Sequence, residues 1–464
     1  MTDDATLQAV LGRIDDGLDA ARERWFAFLR IPSVSAQPVH AADCRAAAAW
    51  ARDALAGLGF DAAVRETAGQ PCVVGHHPGP GGTARHLLFY GHYDVQPAEP
   101  LDLWTAPPFE PVISQGPRGA RVTARGAVDD KGQVMTWLEA FRAWHAETGG
   151  LPVRATVLLE GEEEIGSPSL DAFLAANREE LRAETAVIAD TNMWDADTPA
   201  ITTRLRGMAY VQIDLRGPGR DLHSGLFGGA VLNPINALTK ILGDLHDAEG
   251  RVQIPGFYDG VRALSAEQQR EWASLGFDEP GFLAAISLSQ PAGEAGRPAL
   301  ERLWARPTAD LNGIWGGYTG VGSKTVIAAE AHAKLSFRLV AAQDPTRIID
   351  GLKQFVEARR PRDAQITYQV FASSPGIEVP TDSPFVTAAR AALADEFGRP
   401  AVLIGSGGSI PVVASFRSVL GMDSLLVGFG LDDDQVHSPN EKFDVRCFHN
   451  GMRAYARLIG KLAA

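Results

Sequence analysis

Cysteine is nearly absent: Cys44, Cys72 and Cys447 are the only three in 464 residues. The number is odd, the spacing wide and no CxxC occurs, which excludes a disulfide framework or a cysteine-built zinc site and fits reduced thiols. Clustered Lys and Arg are missing too. With 43 basic against 57 acidic residues and a formal charge of -14, no patch matches the phosphates of a nucleic acid. No apolar run approaches the roughly 18 residues of a membrane span. The opening MTDDATLQAVLGRIDD is acidic and polar where a secretory leader is basic and then apolar. These absences predict a cytoplasmic chain with no nucleic-acid or membrane partner. A serine nucleophile is also not supported, because neither Ser224 nor Ser409 lies in GxSxG.

What is present is enough apolar material, 45% of the chain, to fill about two or three domains. Apolar positions from Leu7 to Leu29 recur at helical spacing until Pro32, predicting one opening helix, and a second helix is expected from Cys44 to Leu58. LLFYG, ATVLLEG and AVIAD then read as strands alternating with a helix after Asp129 and another at Ser167, which is placed as its capping serine ahead of Pro168. This βαβ rhythm predicts an α/β fold with a doubly covered, mostly parallel sheet. From about Thr203 the pattern changes. AYVQIDLRG and AHAKLSFRLV alternate strictly, as in a sheet with one wet face, beside amphipathic helices at NPINALTKILGDLHD and TRIIDGLKQFVEAR. Residues 250–310 give no readable pattern. The βα rhythm resumes near residue 379, so a discontinuous domain of residues 1–202 and 379–464 is expected, with an α+β domain inserted at 203–378.

Five residues that can bind a metal follow apolar runs: His92 in HLLFYGHYD, Asp129 in RGAVDDKG, Glu164 in VLLEGEEEIGS, Asp190 in TAVIAD and His437 in LLVGFGLDDDQVHSPNE. In open α/β sheets ligands bind beyond the carboxyl ends of the strands, where His92, Glu164, Asp190 and His437 are expected. Alone, each motif has an ordinary explanation: HxD as a surface or core pair, GEEE as solvated loop, VDDKG as a turn and helix cap. Their order on successive βα units is what joins them. Two imidazoles and three carboxylates without sulfur suit zinc and tolerate manganese or cobalt.

GHYDVQP, RGAVDDKG, EGEEEIGS, IADTNMW, RDLHSGLFGG, KTVIAAEAHAKLSFRLV, GSGGSIPV and HSPNE together resemble the M20 metallopeptidases, in their branch of nonspecific dipeptidases and carnosinases, over nearly the whole length. The resemblance implies two divalent metal ions per subunit, His92 and Asp190 holding one, Glu164 and His437 the other, and Asp129 bridging. It implies Glu163 as general base in preference to Glu162, which is otherwise a solvent-facing bystander, and Asp94 as the partner that fixes the His92 tautomer. The implied reaction is hydrolysis of a small peptide with a free C-terminal carboxylate by metal-bound hydroxide.

In the inserted domain, alternation puts Arg338 on the polar strand face with His332, Lys334 and Ser336, where an exposed arginine is common. The resemblance instead makes Arg338 the clamp on the substrate carboxylate, with Thr325 and Ser409 beside it. It makes His223 the stabiliser of the oxyanion, lent across a homodimer that forms through the inserted lid domain. Two other activities fit the same motifs: an amidohydrolase acting on N-acyl amino acids, and a binding protein that keeps the fold without catalysis.

Overall fold

The computed structural model describes residues 4–408 and 410–463. The chain forms two compact units, one of Met1–Thr203, Val379–Ile404 and Pro411–Ala464, the other of Arg204–Glu378 and Gly405–Ile410. Among the described residues no helix is long and apolar enough to cross a membrane.

The first unit is built on a mixed sheet whose strands run in the order Asp61–Arg65, Cys72–His77, Arg154–Glu160, His86–His92, Thr185–Ile188, Ser424–Leu426, Ala200–Leu205. Its centre, from Arg154–Glu160 to Ser424–Leu426, is parallel, and its flanks are antiparallel. Both faces are covered, as the pleat requires. Phe89 meets Phe141 of helix Lys131–Thr148 at 4.8 Å, whereas the next residue, Tyr90, meets Phe416 at 5.5 Å. Because successive side chains point to opposite faces, those two contacts lie in different layers. Trp25, Trp137 and Trp144 complete a core in which each is at most 1% exposed.

Two local expectations are corrected. The opening helix is two, Asp4–Asp16 and Leu18–Leu29, broken at Gly17, a residue of low helix propensity around which the apolar stripe continues in phase. Ser167 is no cap: it lies in the left-handed region at φ 53, its hydroxyl donates to Glu160 at 3.0 Å, and the helix begins later as Leu170–Ala176.

The second unit carries a four-stranded antiparallel sheet in the order Thr308–Gly316, Glu330–Leu339, Gly207–Arg216, Gln365–Ser374. Along Glu330–Leu339 every second residue is buried, with Ala333, Leu335 and Phe337 on the inner face and His332, Lys334, Ser336 and Arg338 on the other. Helices Pro234–Gly243 and Pro345–Glu357 cover the inner face. Each starts with proline behind a capping Asn233 or Asp344, whose side chain accepts the orphan backbone N–H groups. The unreadable stretch holds three short helices, Ala266–Ser274, Glu279–Ala285 and Ala299–Trp304. Buried Glu294, bidentate to Arg306 at 2.6 and 2.7 Å, and edge-on Trp272 and Trp304 at 5.1 Å tie them down.

Candidate metal centre

His92 is the last residue of strand His86–His92. Gly91 before it lets the strand end approach the helix that follows Asp129, since a Cβ there would stand 2.4 Å from Val134 Cγ2. The imidazole is wholly buried, and its Nδ1 faces the Asp94 carbonyl at 3.1 Å and the Asp94 carboxylate at 3.5 Å. Two acceptors on that side put the proton on Nδ1 and leave Nε2 as a lone pair. Nε2 has no hydrogen-bond partner although it is buried, and Asp129 Oδ1 lies 3.1 Å away.

One ligand atom each from His92, Asp129 and Glu164 lie within 4.8 Å of one another, the one such group among the described residues. His437 joins from another side, its Nε2 3.0 Å from Asp129 Oδ2 and 3.2 Å from Glu164 Oε2. Asp129 therefore turns one oxygen to each histidine. Asp190, two residues past strand Thr185–Ile188, stands outside the compact group, yet the charges of Asp129 and Glu164 act on it. His437 is not at a strand end. It sits far along a loop from Ser424–Leu426, in the left-handed region at φ 61, between Gln435 at φ 56 and Asn440 at φ 65.

The electrostatics show what the cluster lacks. Burial, with Asp129 nearby, pushes Asp190 up to about 7 and also raises Glu164. Burial raises Glu163 far above the usual carboxylate range, His92 offsets part of this, and Asp190, Asp129 and Glu164 add to it. Asp129 goes the other way: burial would raise it, but the facing His437 and His92 imidazoles outweigh that and hold it below the usual carboxylate range. Hydrogen bonds to Asp129 and Glu164 push His437 up to about 10. Four carboxylates crowd two imidazoles, and divalent cations would relieve their repulsion while giving the bare His92 nitrogen a partner. The donor set and its geometry thus fit a metal.

Neighbouring residues set this geometry. Asp94 accepts Ser35 Oγ–H at 2.6 Å and the backbone N–H groups of Glu163 and Glu164 at 3.3 and 3.2 Å, so its carboxylate fixes the turn Glu163–Ile165 as well as facing His92. Glu162 is not the solvent-facing bystander expected: it is 6% exposed and accepts N–H groups from Gln70 at 3.0 Å and Ser169 at 3.2 Å. Glu441, missed in the sequence, is fully buried and accepts N–H groups from Gly126, Val128 and Asp129 at 3.0, 2.9 and 3.1 Å, and Arg125 Nη1 at 2.8 Å. It moors the Asp129 turn to the His437 loop. Its signal was its place at the end of HSPNE.

In the second unit His223 lies on strand Leu222–His223, paired with Val326. Its Nδ1 accepts the Gly225 N–H at 3.0 Å, which leaves the proton of a neutral ring on exposed Nε2. Thr325 precedes that pairing, and its carbonyl accepts the Ser224 N–H at 3.0 Å. Arg338 pairs with Met208 and Thr308 across the sheet. Ser409 lies outside the described residues.

Carboxylates that repel one another around a bare imidazole nitrogen call for a metal ion, and their place beyond the carboxyl edge of a parallel sheet core makes this chain a metal-dependent hydrolase. It belongs to peptidase family M20/M25/M40, whose model matches residues 88–461. It is 32% identical to the Cys-Gly metallodipeptidase DUG1 of Candida albicans, over 98% of both chains. Human carnosine dipeptidase 1 shares its structure with a TM-score of 0.82 at 27% identity, over 98% of each chain. The metallo-carboxypeptidase Sso-CP2 of Sulfolobus solfataricus also scores 0.82, at 29% identity, covering 96% of this chain and 99% of that one.

Proposed function

We propose that this chain is a dinuclear metallodipeptidase, hydrolysing the peptide bond of dipeptides or short peptides that carry a free C-terminal carboxylate. The observation that carries the reading is Asp129, with one carboxylate oxygen turned to each of two histidines. The relatives named for Cys-Gly and carnosine hydrolysis, matched over nearly their whole lengths, supply the substrate class. His92 with Asp190 would hold one cation, Glu164 with His437 a second, and Asp129 both; zinc is the first choice, manganese or cobalt the alternatives. When bound, such ions polarise the scissile carbonyl and lower the pKa of water.

The chain's own groups do the rest. Glu163, whose side-chain oxygens accept no hydrogen bond among the described residues, takes the proton of the attacking water and passes it to the leaving amine. Asp94 holds the His92 proton on Nδ1 and the Glu163–Ile165 turn in place. His223 donates from Nε2 to the oxyanion, from the partner chain of a homodimer. Arg338, Thr325 and Ser409 bind the substrate carboxylate. The first unit is thus the metal-binding domain and the second the lid and dimerisation domain. Cys44, Cys72 and Cys447, all free and buried, suit a reducing cytoplasm. A panel of unblocked dipeptides against N-acetyl and N-succinyl amino acids tests this reading. Dipeptides are expected to turn over faster, and faster turnover of the acyl compounds would contradict it.

A further inference from the structure

Arg206, which no motif singled out, joins strand Ala200–Leu205 to Gly207–Arg216 in the second unit. Its backbone and side chain both engage the glycine-rich segment: the N–H donates to Gly408 O at 3.2 Å and Nε to Gly407 O at 3.1 Å. The approach is close. A Cβ on Gly407 would stand 3.1 Å from Arg206 Nη2, so glycine there makes room for the guanidinium. Among the described residues the terminal nitrogens of Arg206 make no hydrogen bond, and no carboxylate lies within ion-pair distance.

The sheet register pairs Met208 with Arg338 and Gly207 with Leu339. Arg206, two residues before Met208, is therefore the diagonal neighbour of Arg338 on the face away from the helices. Burial, with the Arg338 charge next, pulls Arg206 down to about 10, against a weaker opposing effect from Asp310. Among the described residues the two buried arginines each have a carboxylate, Arg125 with Glu441 and Arg306 with Glu294, whereas partly buried Arg206 has none. Arg206 is desolvated beside a like charge, a costly arrangement unless an anion joins it.

We propose that Arg206 is a second substrate-binding guanidinium, forming with Arg338, beside Gly407 and Gly408, one site for the carboxylate of a peptide. A carboxylate has about four lone-pair directions, enough for two guanidinium groups. The proposal rests on the dipeptidase reading and adds to it a residue that reads the free acid. The bland alternative is that Arg206 only tethers the glycine-rich segment.

The two are separated by steady-state kinetics of Arg206→Met and Arg206→Lys on Ala-Gly and on Ala-Gly amide. Loss of a charged hydrogen bond predicts that Arg206→Met raises KM for the free acid by about tenfold to a hundredfold, with a much smaller change in kcat. The preference for acid over amide should shrink by the same factor, and Arg206→Lys should recover part of it. Equal losses on acid and amide, or an unchanged KM, would overturn the proposal. If Arg206→Met does not fold, calorimetric binding of Ala-Gly and its amide to Arg206→Lys in a Glu163→Gln background decides instead. Weakening confined to the acid sustains the proposal, and unaltered affinity for the acid overturns it. A wild type with no turnover of either peptide would sink the dipeptidase reading itself, a distinct result.

Discussion

Two adjacent glutamates in GEEE should answer the same substitution in opposite ways. Glu162 accepts the Gln70 N–H on Oε1 and the Ser169 N–H on Oε2. In Glu162→Gln an amide nitrogen replaces one of those oxygens, so one backbone donor loses its acceptor in a site only 6% exposed. That costs about 1–3 kcal/mol. Glu163 accepts no side-chain hydrogen bond among the described residues, and Asp190, Asp129 and Glu164 repel its charge. Glu163→Gln therefore gives up no such bond and relieves repulsion. In urea unfolding of chelator-treated protein, Glu162→Gln should unfold at lower denaturant than wild type, and Glu163→Gln at the same or higher. Activity should reverse the order. Glu163→Gln should lose about a hundredfold to ten-thousandfold in kcat, the usual range for a general base, with metal content unchanged. Glu162→Gln, once folded and loaded, should keep most of its turnover. If Glu162→Gln abolishes turnover while Glu163→Gln spares it, the register of the base is wrong. If both variants lose stability alike, the electrostatic reasoning fails.

Three other outcomes are expected. Glu441→Gln leaves buried Arg125 without its counter-charge, costing about 3–5 kcal/mol, and loosens the turn bearing Asp129. Zinc affinity by titration calorimetry should then fall about tenfold to a hundredfold, and an unaltered affinity would refute the mooring role. His86, pulled down from 6.5 to about 4 by burial and then by Arg154, is protonated more readily in the unfolded chain. Its contribution to stability is whole above pH 6.5 and is lost as pH falls toward 4, so His86→Gln should flatten the urea-midpoint profile in that window. Identical profiles would count against it. Mixing His223→Ala chains with Glu163→Gln chains should restore partial activity if His223 acts across a dimer, and no recovery despite subunit exchange would exclude that.

The parts of the fold that were legible are those written in local periodicity. The alternation of Glu330–Leu339 and the apolar run ending at His92 reappear as strands because side-chain period and burial are one pattern. Gly17 was invisible for the same reason, since the stripe stays in phase across the break. The short helices between residues 250 and 310 hold too few turns to show a period. The first nevertheless carried a readable sign, the reciprocal capping box of Ser265 and Gln268. What the sequence withheld at the site were partners distant along the chain. Glu441 reaches back to the Asp129 turn, Asn440 pins the same loop through Thr105 N–H at 2.8 Å, and Glu162 turns to Gln70. The left-handed backbone at Gln435, His437 and Asn440 carries His437 away from the strand end, with no glycine to announce the turn. Ligand types could be read from motifs; the hydrogen bonds that aim them could not.

The central claim is that His92, Asp129, Glu164, Asp190 and His437 hold two catalytic cations. Its most direct test is a zinc titration of the chelator-treated protein, following bound metal by mass spectrometry of the desalted chain alongside hydrolysis of Ala-Gly. Two ions per chain are expected, with activity rising as they bind and one ion or fewer retained after Asp129→Ala. Full activity in the chelated protein, or wild-type saturation at one ion per chain, would contradict the claim.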